Sequence, residues 1–141
     1  WYGLFTKQKN ATQSIDALNA YWKGESRNTA PILHSFLLNN LDKNESVKLK
    51  KGKNCSFSYN VTDAENDSLT YEFQLMPESR DKKAGGDFEK TPEPIAFTVV
   101  ESLNDKLVIK APLKSGPYRF FIYVRDSNKN VATANIPFYV K

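Results

Sequence analysis

The stretch SGPYRFFIYVRDSNKNVATANIPFYV, residues 115–140, decides the fold. Tyr118, Phe120, Ile122 and Val124 occupy alternate positions, and so do Ala132, Ala134, Ile136, Phe138 and Val140. A period of two places each set on one face of a strand, half-buried against a core. Asn128-Lys129-Asn130 between them reads as a hairpin turn. Gly116 permits a sharp entry to the first strand, and Pro117 restricts the backbone just before Tyr118.

The same period recurs upstream. Ile32 to Leu38 reads as a first strand, and Val47 with Leu49 as a short second. Cys55, Phe57, Tyr59 and Val61 alternate with Ser56, Ser58, Asn60 and Thr62. Leu69, Tyr71, Phe73 and Leu75 alternate with Thr70, Glu72 and Gln74. Met76 to Pro94 is polar, carries Gly85-Gly86 and three prolines, and reads as a long loop. Strands resume over Ile95 to Val100 and Leu107 to Lys110. About seven to eight short strands separated by turn signals predict an all-β, immunoglobulin-like antiparallel β-sandwich.

Residues 1–30 follow another rule. Trp1, Tyr2, Leu4 and Phe5 cluster, and Ile15, Leu18, Tyr21 and Trp22 then recur at helical spacing. Thr12 or Ser14 is placed to cap this short N-terminal helix, Asp16 suits its first turn and Gly24 its end. A helix this short is marginal alone and has to dock its apolar stripe. Glu25 to Thr29 reads as a linker closed by Pro31. The expected organisation is a lead-in, 1–30, forming the tail of a preceding domain, and a sandwich, 31–141.

Composition narrows the class. At 141 residues the chain can bury roughly two thirds of its unfolded surface, enough to fold without disulfides or metals. Mean hydropathy is −0.57, and no run approaches the roughly 18 apolar residues of a membrane span. The net charge of +4 is spread along the chain. Its one dense patch, Lys48, Lys50, Lys51 and Lys53 around Gly52, lacks the interleaved aromatics of a nucleic-acid site and reads as a solvated turn. Cys55 is the single cysteine, so it reads as a buried small hydrophobe. That is compatible with bacterial export but not with a disulfide-built ectodomain. The start at Trp1, with neither Met nor signal peptide, looks like a piece of a longer protein.

Two resemblances rest on particular residues. Gly116-Pro117-Tyr118 leading to Asp126 and the Asn128-Lys129-Asn130 turn resembles the F–G hairpin of polycystic-kidney-disease-like, cadherin-like and fibronectin-type modules. Asp63-Ala64-Glu65-Asn66-Asp67 with Leu69-Thr70-Tyr71 resembles the turn between their B and C strands. The resemblance implies that Tyr118 is a tyrosine corner. The sequence departs from the pattern at Lys129, where such modules place Gly, and at Phe73, where many place Trp. Across nearly the whole chain, Trp1-Tyr2-Gly3-Leu4-Phe5, Ile15-Asp16, Tyr21-Trp22, Asn28-Thr29-Ala30-Pro31-Ile32, Pro77-Glu78-Ser79 and the closing Ala132 to Phe138 are similar to the C-terminal tail of bacterial family 2-type glycoside hydrolases. In those enzymes an immunoglobulin-like module follows a (β/α)8 barrel, and the activity belongs to the barrel.

No constellation here predicts catalysis. His34, the single histidine, has no triad partner in order and reads as an ordinary strand residue; zinc would need more His and Cys ligands. Glu72, Glu78, Asp81, Asp87, Glu89 and Glu93 are plentiful, but a glycosidase needs two carboxylates facing each other roughly 5 to 10 Å apart in a cleft. Asp63, Glu65 and Asp67, with Asp126, can present oxygens to calcium. Ser68 and Gln74 stand where an EF-hand requires Gly and Glu, so the plainer reading is a polar B–C turn, with no metal.

Phe121, Tyr123 and Tyr139 fall on the outward face if Tyr118 to Val124 points inward. Such aromatics stack on sugar rings, or else cover a docked helix carrying Trp22 or a neighbouring domain. The expected function is a non-catalytic structural or spacer module of a secreted polysaccharide-degrading glycoside hydrolase, not an enzyme in itself. A carbohydrate-binding module and a surface adhesin-type interaction domain are the alternatives. Expected partners are the preceding catalytic domain of the same polypeptide and a polysaccharide, with no nucleic acid, no membrane span and no cofactor. The chain is expected to be a monomer that is secreted, periplasmic or at the cell surface.

Overall fold

The computed structural model describes residues 3–24, 28–79 and 90–141. Trp1 and Tyr2, linker positions 25–27, Gly85-Gly86 and the carboxylates Asp81, Asp87 and Glu89 lie outside the described residues. Among the described residues, one helix and eight strands follow in order: α1 (Gln13–Lys23), β1 (Ile32–Leu38), β2 (Lys48–Leu49), β3 (Asn54–Thr62), β4 (Thr70–Pro77), β5 (Val99–Leu103), β6 (Lys106–Lys110), β7 (Gly116–Arg125) and β8 (Val131–Val140).

The strands form two four-stranded sheets, in the orders β1-β3-β6-β5 and β2-β8-β7-β4. Lettered A, A′, B, C, D, E, F, G along the chain, these are the ABED and A′GFC sheets of an immunoglobulin-like sandwich. β3 and β6 are antiparallel, with Cys55 opposite Ile109 and Phe57 opposite Leu107. β2 departs from the all-antiparallel expectation, because it runs parallel to β8, with Leu49 opposite Val140. The chain leaves β1 through Asn39 and Asn40, both at positive φ (50° and 65°), and crosses to the other sheet, where β2 covers the flank of the last strand.

Contacts divide the chain into two compact units: Trp1–Ser35, Tyr59–Phe73 and Ile122–Ala134 in one, Phe36–Ser58, Gln74–Phe121 and Asn135–Lys141 in the other. The second holds the aromatic core. Phe57 stacks on Phe120 with ring centroids 4.1 Å apart. Phe36 lies 5.8 Å from Phe57, Phe138 6.4 Å from Phe57 and Phe97 5.3 Å from Phe120. Leu38, Leu75, Ile109, Ile136 and Val140 are fully buried with them. Tyr118 is buried against Phe138, and its hydroxyl donates to the Lys114 carbonyl at 2.9 Å, which is the tyrosine corner. Gly52 turns the lysine-rich segment at φ +64°, and a Cβ there would meet Leu113 Cδ2 at 3.1 Å. Lys48, Lys50, Lys51 and Lys53 are all exposed, as a solvated turn requires.

Cys55 is buried as its register demands. Desolvation pushes its thiol from 9.0 up to about 12, so the native thiolate is scarce at neutral pH. Because the folded value is raised, this group's contribution to stability is complete below about pH 9 and is lost as pH climbs toward 12. At pH 8 a maleimide should leave the native chain unmodified for hours and label it promptly in urea. Prompt native labelling would place β3 one residue out of register.

In the first unit Ile122, Val124, Val131 and Ala132 are buried, and Tyr59 packs on Tyr71 and Phe73 at 5.4 and 5.7 Å. α1 occupies the expected place, but its capping differs. Thr12 is at the N-cap without a side-chain cap; its hydroxyl donates instead to the carbonyls of Gly3 and Leu4. None of the helix residues is buried, and Tyr21 and Trp22 are 84% and 71% exposed. Polar bonds tie the helix down: Asp16 accepts from the Ala30 N–H at 2.8 Å, and Gln13 Nε2 donates to the Pro31 carbonyl at 3.3 Å.

The strand expected over Ile95 to Val100 is displaced. Ile95 forms an isolated bridge with Leu75, and β5 starts at Val99 and continues to Leu103, where it turns through Asn104-Asp105 into β6. Every residue of β5 is exposed, so no inward alternation marked it.

Candidate functional site

The F–G turn is built around Asp126. One carboxylate oxygen accepts from the backbone N–H of Asn128 and of Asn130, both at 2.8 Å. The other accepts from the Asn130 side-chain amide, also at 2.8 Å. This holds Lys129 at φ +69°, a left-handed conformation that favours glycine. Lys129 is exposed, so Lys129→Gly loses no packing. It should relieve about 1–2 kcal/mol of left-handed strain against about 0.5–1 kcal/mol of added unfolded-chain entropy. A small rise in the urea midpoint is expected; a fall would mean the lysine contributes through a contact.

The B–C turn meets this one. Asp63, Asp67 and Asp126 each offer an oxygen, and these lie within 4.8 Å of one another. The Asp67 backbone N–H donates to Asp63 Oδ1 at 2.8 Å. Asp67 Oδ2 accepts from the amides of Asn28 at 2.6 Å and Asn128 at 3.0 Å. Asn130 donates to Asn28 Oδ1 at 2.7 Å. Glu65 does not join them. Positive φ at Asn66, 58°, reverses the chain and sends Glu65 to Thr29, whose N–H and hydroxyl it accepts at 3.2–3.3 Å. Alternate spacing means a shared side only in an extended strand, and this segment is a turn. The three asparagines carried no signal in the sequence beyond turn propensity.

The lead-in is stitched to the same turn. Ala11 bridges Asn130 in parallel: its N–H donates to the Lys129 carbonyl at 3.1 Å, and its carbonyl accepts from Val131 at 2.7 Å. Arg125 donates to Asn10 at 3.2 Å and pairs with Glu72 at 2.8 Å.

The aromatic candidates fare unequally. Phe121 and Tyr123 are half-buried, and Tyr139 is 46% exposed. The Arg125 guanidinium sits 5.4 Å from the centre of the Tyr123 ring. Burial raises the Tyr123 phenol pKa, Glu72 raises it further and Arg125 opposes. Trp22 stands out from α1, its ring edge-on to Tyr21 at 6.4 Å. His34 shares a 2.7 Å hydrogen bond with Thr62. Glu72 and Glu78 are engaged by Arg125 and Arg119.

These features define an immunoglobulin-like β-sandwich domain. No family model matches the sequence, and no curated protein matches it. Among solved structures the chain is similar to a nucleoside hydrolase-related hypothetical protein from Saccharophagus degradans that is associated with carbohydrate metabolism, with TM-score 0.50 and 16% identity. That match covers 81% of this chain and 26% of the other, so the chain spans about a quarter of that protein. It is also similar to PcoC, a methionine-rich copper resistance protein from Escherichia coli, with TM-score 0.45, 19% identity and coverage of 80% and 100%. Murine CRIg gives TM-score 0.42 and 8% identity, with coverage of 79% and 96%. At these identities the likeness is one of fold. No described helix is long and apolar enough to cross a membrane.

Proposed function

We propose that this chain is a non-catalytic accessory module that acts as a rigid spacer beside a carbohydrate-acting domain of the same exported polypeptide. The observation that carries this reading is the anchoring of the lead-in. Ala11 is held on both sides of the F–G turn, and Asp16 fastens α1 to the entry of β1. A segment fixed this way transmits a defined orientation to whatever precedes it, where a flexible linker would not. Leu4, Phe5, Tyr21 and Trp22, all exposed, supply an apolar face for that neighbour. The ordered resemblance to the tail of family 2-type glycoside hydrolases supports a barrel as the neighbour. The carbohydrate association of the longer Saccharophagus protein points to the same kind of chemistry.

The test compares the parent polypeptide with and without residues 1–141 and assays the isolated chain. The spacer reading expects no turnover of aryl-glycosides by the chain alone. It also expects a lower thermal midpoint for the parent without the module, with kcat unchanged. Sedimentation of the isolated chain with insoluble polysaccharide, abolished by Trp22→Ala or Tyr139→Ala, would instead establish a carbohydrate-binding module. Turnover lost on mutating a residue of this chain would overturn both.

A further inference from the structure

We propose that the turn between β2 and β3, together with the segment that follows β6, docks on an anionic lipid surface. Two independent observations meet there. The first is a convergence of charge that only the fold creates. Lys50, Lys51 and Lys53 come from one turn, and Lys110 and Lys114 from far along the chain. Backbone bonds draw the two together: the Gly52 N–H donates to the Ala111 carbonyl at 3.1 Å, and the Ala111 N–H to the Lys53 carbonyl at 2.9 Å. All five lysines are exposed, and none pairs with a carboxylate among the described residues. The second observation is an apolar surface set among them. A groove of about 650 Å³ opens between the end of β4 and the end of β6. Its described lining includes Leu75, Pro77, Ile95, Phe97, Pro112 and Leu113, with Lys110 and Lys114 beside them. Leu113 is 78% exposed. A Cβ on Gly52 would meet its Cδ2 at 3.1 Å, so the leucine stands directly against the lysine turn.

Lysines close to an anionic bilayer each add attraction, and an apolar side chain that enters the headgroup region adds to it. A solitary exposed leucine is ordinary. One flanked by unpaired cations, beside an open apolar groove, matches a surface that is both charged and oily. Other polyanions use only part of this arrangement. A dissolved acidic polysaccharide would pair with the lysines and leave Leu113 in water. Single-stranded nucleic acid needs rings on which bases stack, and Tyr118, which borders the groove, is 5% exposed and packed on Phe138. Exposed charges are screened by salt, so the docking is reversible and salt-sensitive. The spacer role uses the lead-in and none of these residues, so either can hold without the other.

The experiment sediments the chain with large vesicles of phosphatidylcholine, either alone or with about one third phosphatidylglycerol, at about 0.05 M salt. Association is expected with the anionic vesicles only, and about 0.5 M salt should release most of the chain. Lys51→Gln combined with Lys114→Gln should weaken partition about 25-fold, which is about fivefold per lysine. Lys106→Gln combined with Lys129→Gln removes the same charge elsewhere and should weaken it less than about threefold. Leu113→Ser should weaken partition about tenfold, and Leu113→Trp should strengthen it. Lys51, Leu113 and Lys114 are exposed, so their variants should keep the urea midpoint of the unaltered chain, which shows that each is folded. The proposal fails if anionic vesicles retain no more chain than neutral ones, if the two double variants lose partition equally, or if folded Leu113→Ser partitions as the unaltered chain does. Binding of polygalacturonate or duplex DNA that Leu113→Ser leaves untouched, with no retention on vesicles, would assign these lysines to a soluble polyanion instead.

Discussion

Phe57→Ala should cost about 3–5 kcal/mol, the usual loss for truncating a fully enclosed phenylalanine. Phe57 has no solvent exposure and touches three other rings, with Phe120 nearest at 4.1 Å. Its removal opens a void bordered by strands from both sheets, which cannot collapse without breaking β3's pairing to β6. Against a total stability of about 5–15 kcal/mol this is a large fraction. The thermal midpoint should fall by roughly 10–20 °C. Phe57→Leu keeps much of the volume and should cost less than half as much. A double-mutant cycle with Phe120→Ala should return a coupling of about 0.5–3 kcal/mol, since the rings are in direct contact. A cost below about 1 kcal/mol for Phe57→Ala would mean the core is loosely packed.

Where alternation was strong, the strands were legible. β1 lies where Pro31 ends the lead-in and apolar residues resume, and the buried faces of β3, β7 and β8 are those their period-two patterns specify. β5 was misplaced for a physical reason. Val99, Val100 and Leu103 are about half exposed on an edge strand, so burial imposed no pattern on them. The apolar run at Ile95 to Phe97 drew the expected strand too early.

The candidate site was half legible. The acidic turn and Asp126 stand out in the sequence, but grouping them needs the pairing of two distant turns. Glu65 shows the limit of spacing arguments in a segment that reverses direction. The helical stripe of α1 was legible as periodicity, yet the residues described around it leave Tyr21 and Trp22 in solvent.

Tyr118→Phe isolates one hydrogen bond and should destabilise the chain by about 1–3 kcal/mol. The ring is 5% exposed and packs on Phe138 at 5.8 Å. Phenylalanine preserves that contact and removes only the hydroxyl. The Lys114 carbonyl, 2.9 Å from that hydroxyl, would then have to find water at a partly buried position. Lys114 itself is exposed, so some rehydration is available and the lower half of the range is expected. Gly116, at φ +150°, and Pro117 shape the backbone between acceptor and donor, so the corner is pre-formed and little entropy offsets its loss. An ordinary surface tyrosine would change stability by less than about 0.5 kcal/mol. Urea melts of the two proteins separate the cases. An unchanged midpoint would show that the hydroxyl contributes nothing to the fold, and that the corner is a consequence of the F-strand entry rather than a support for it.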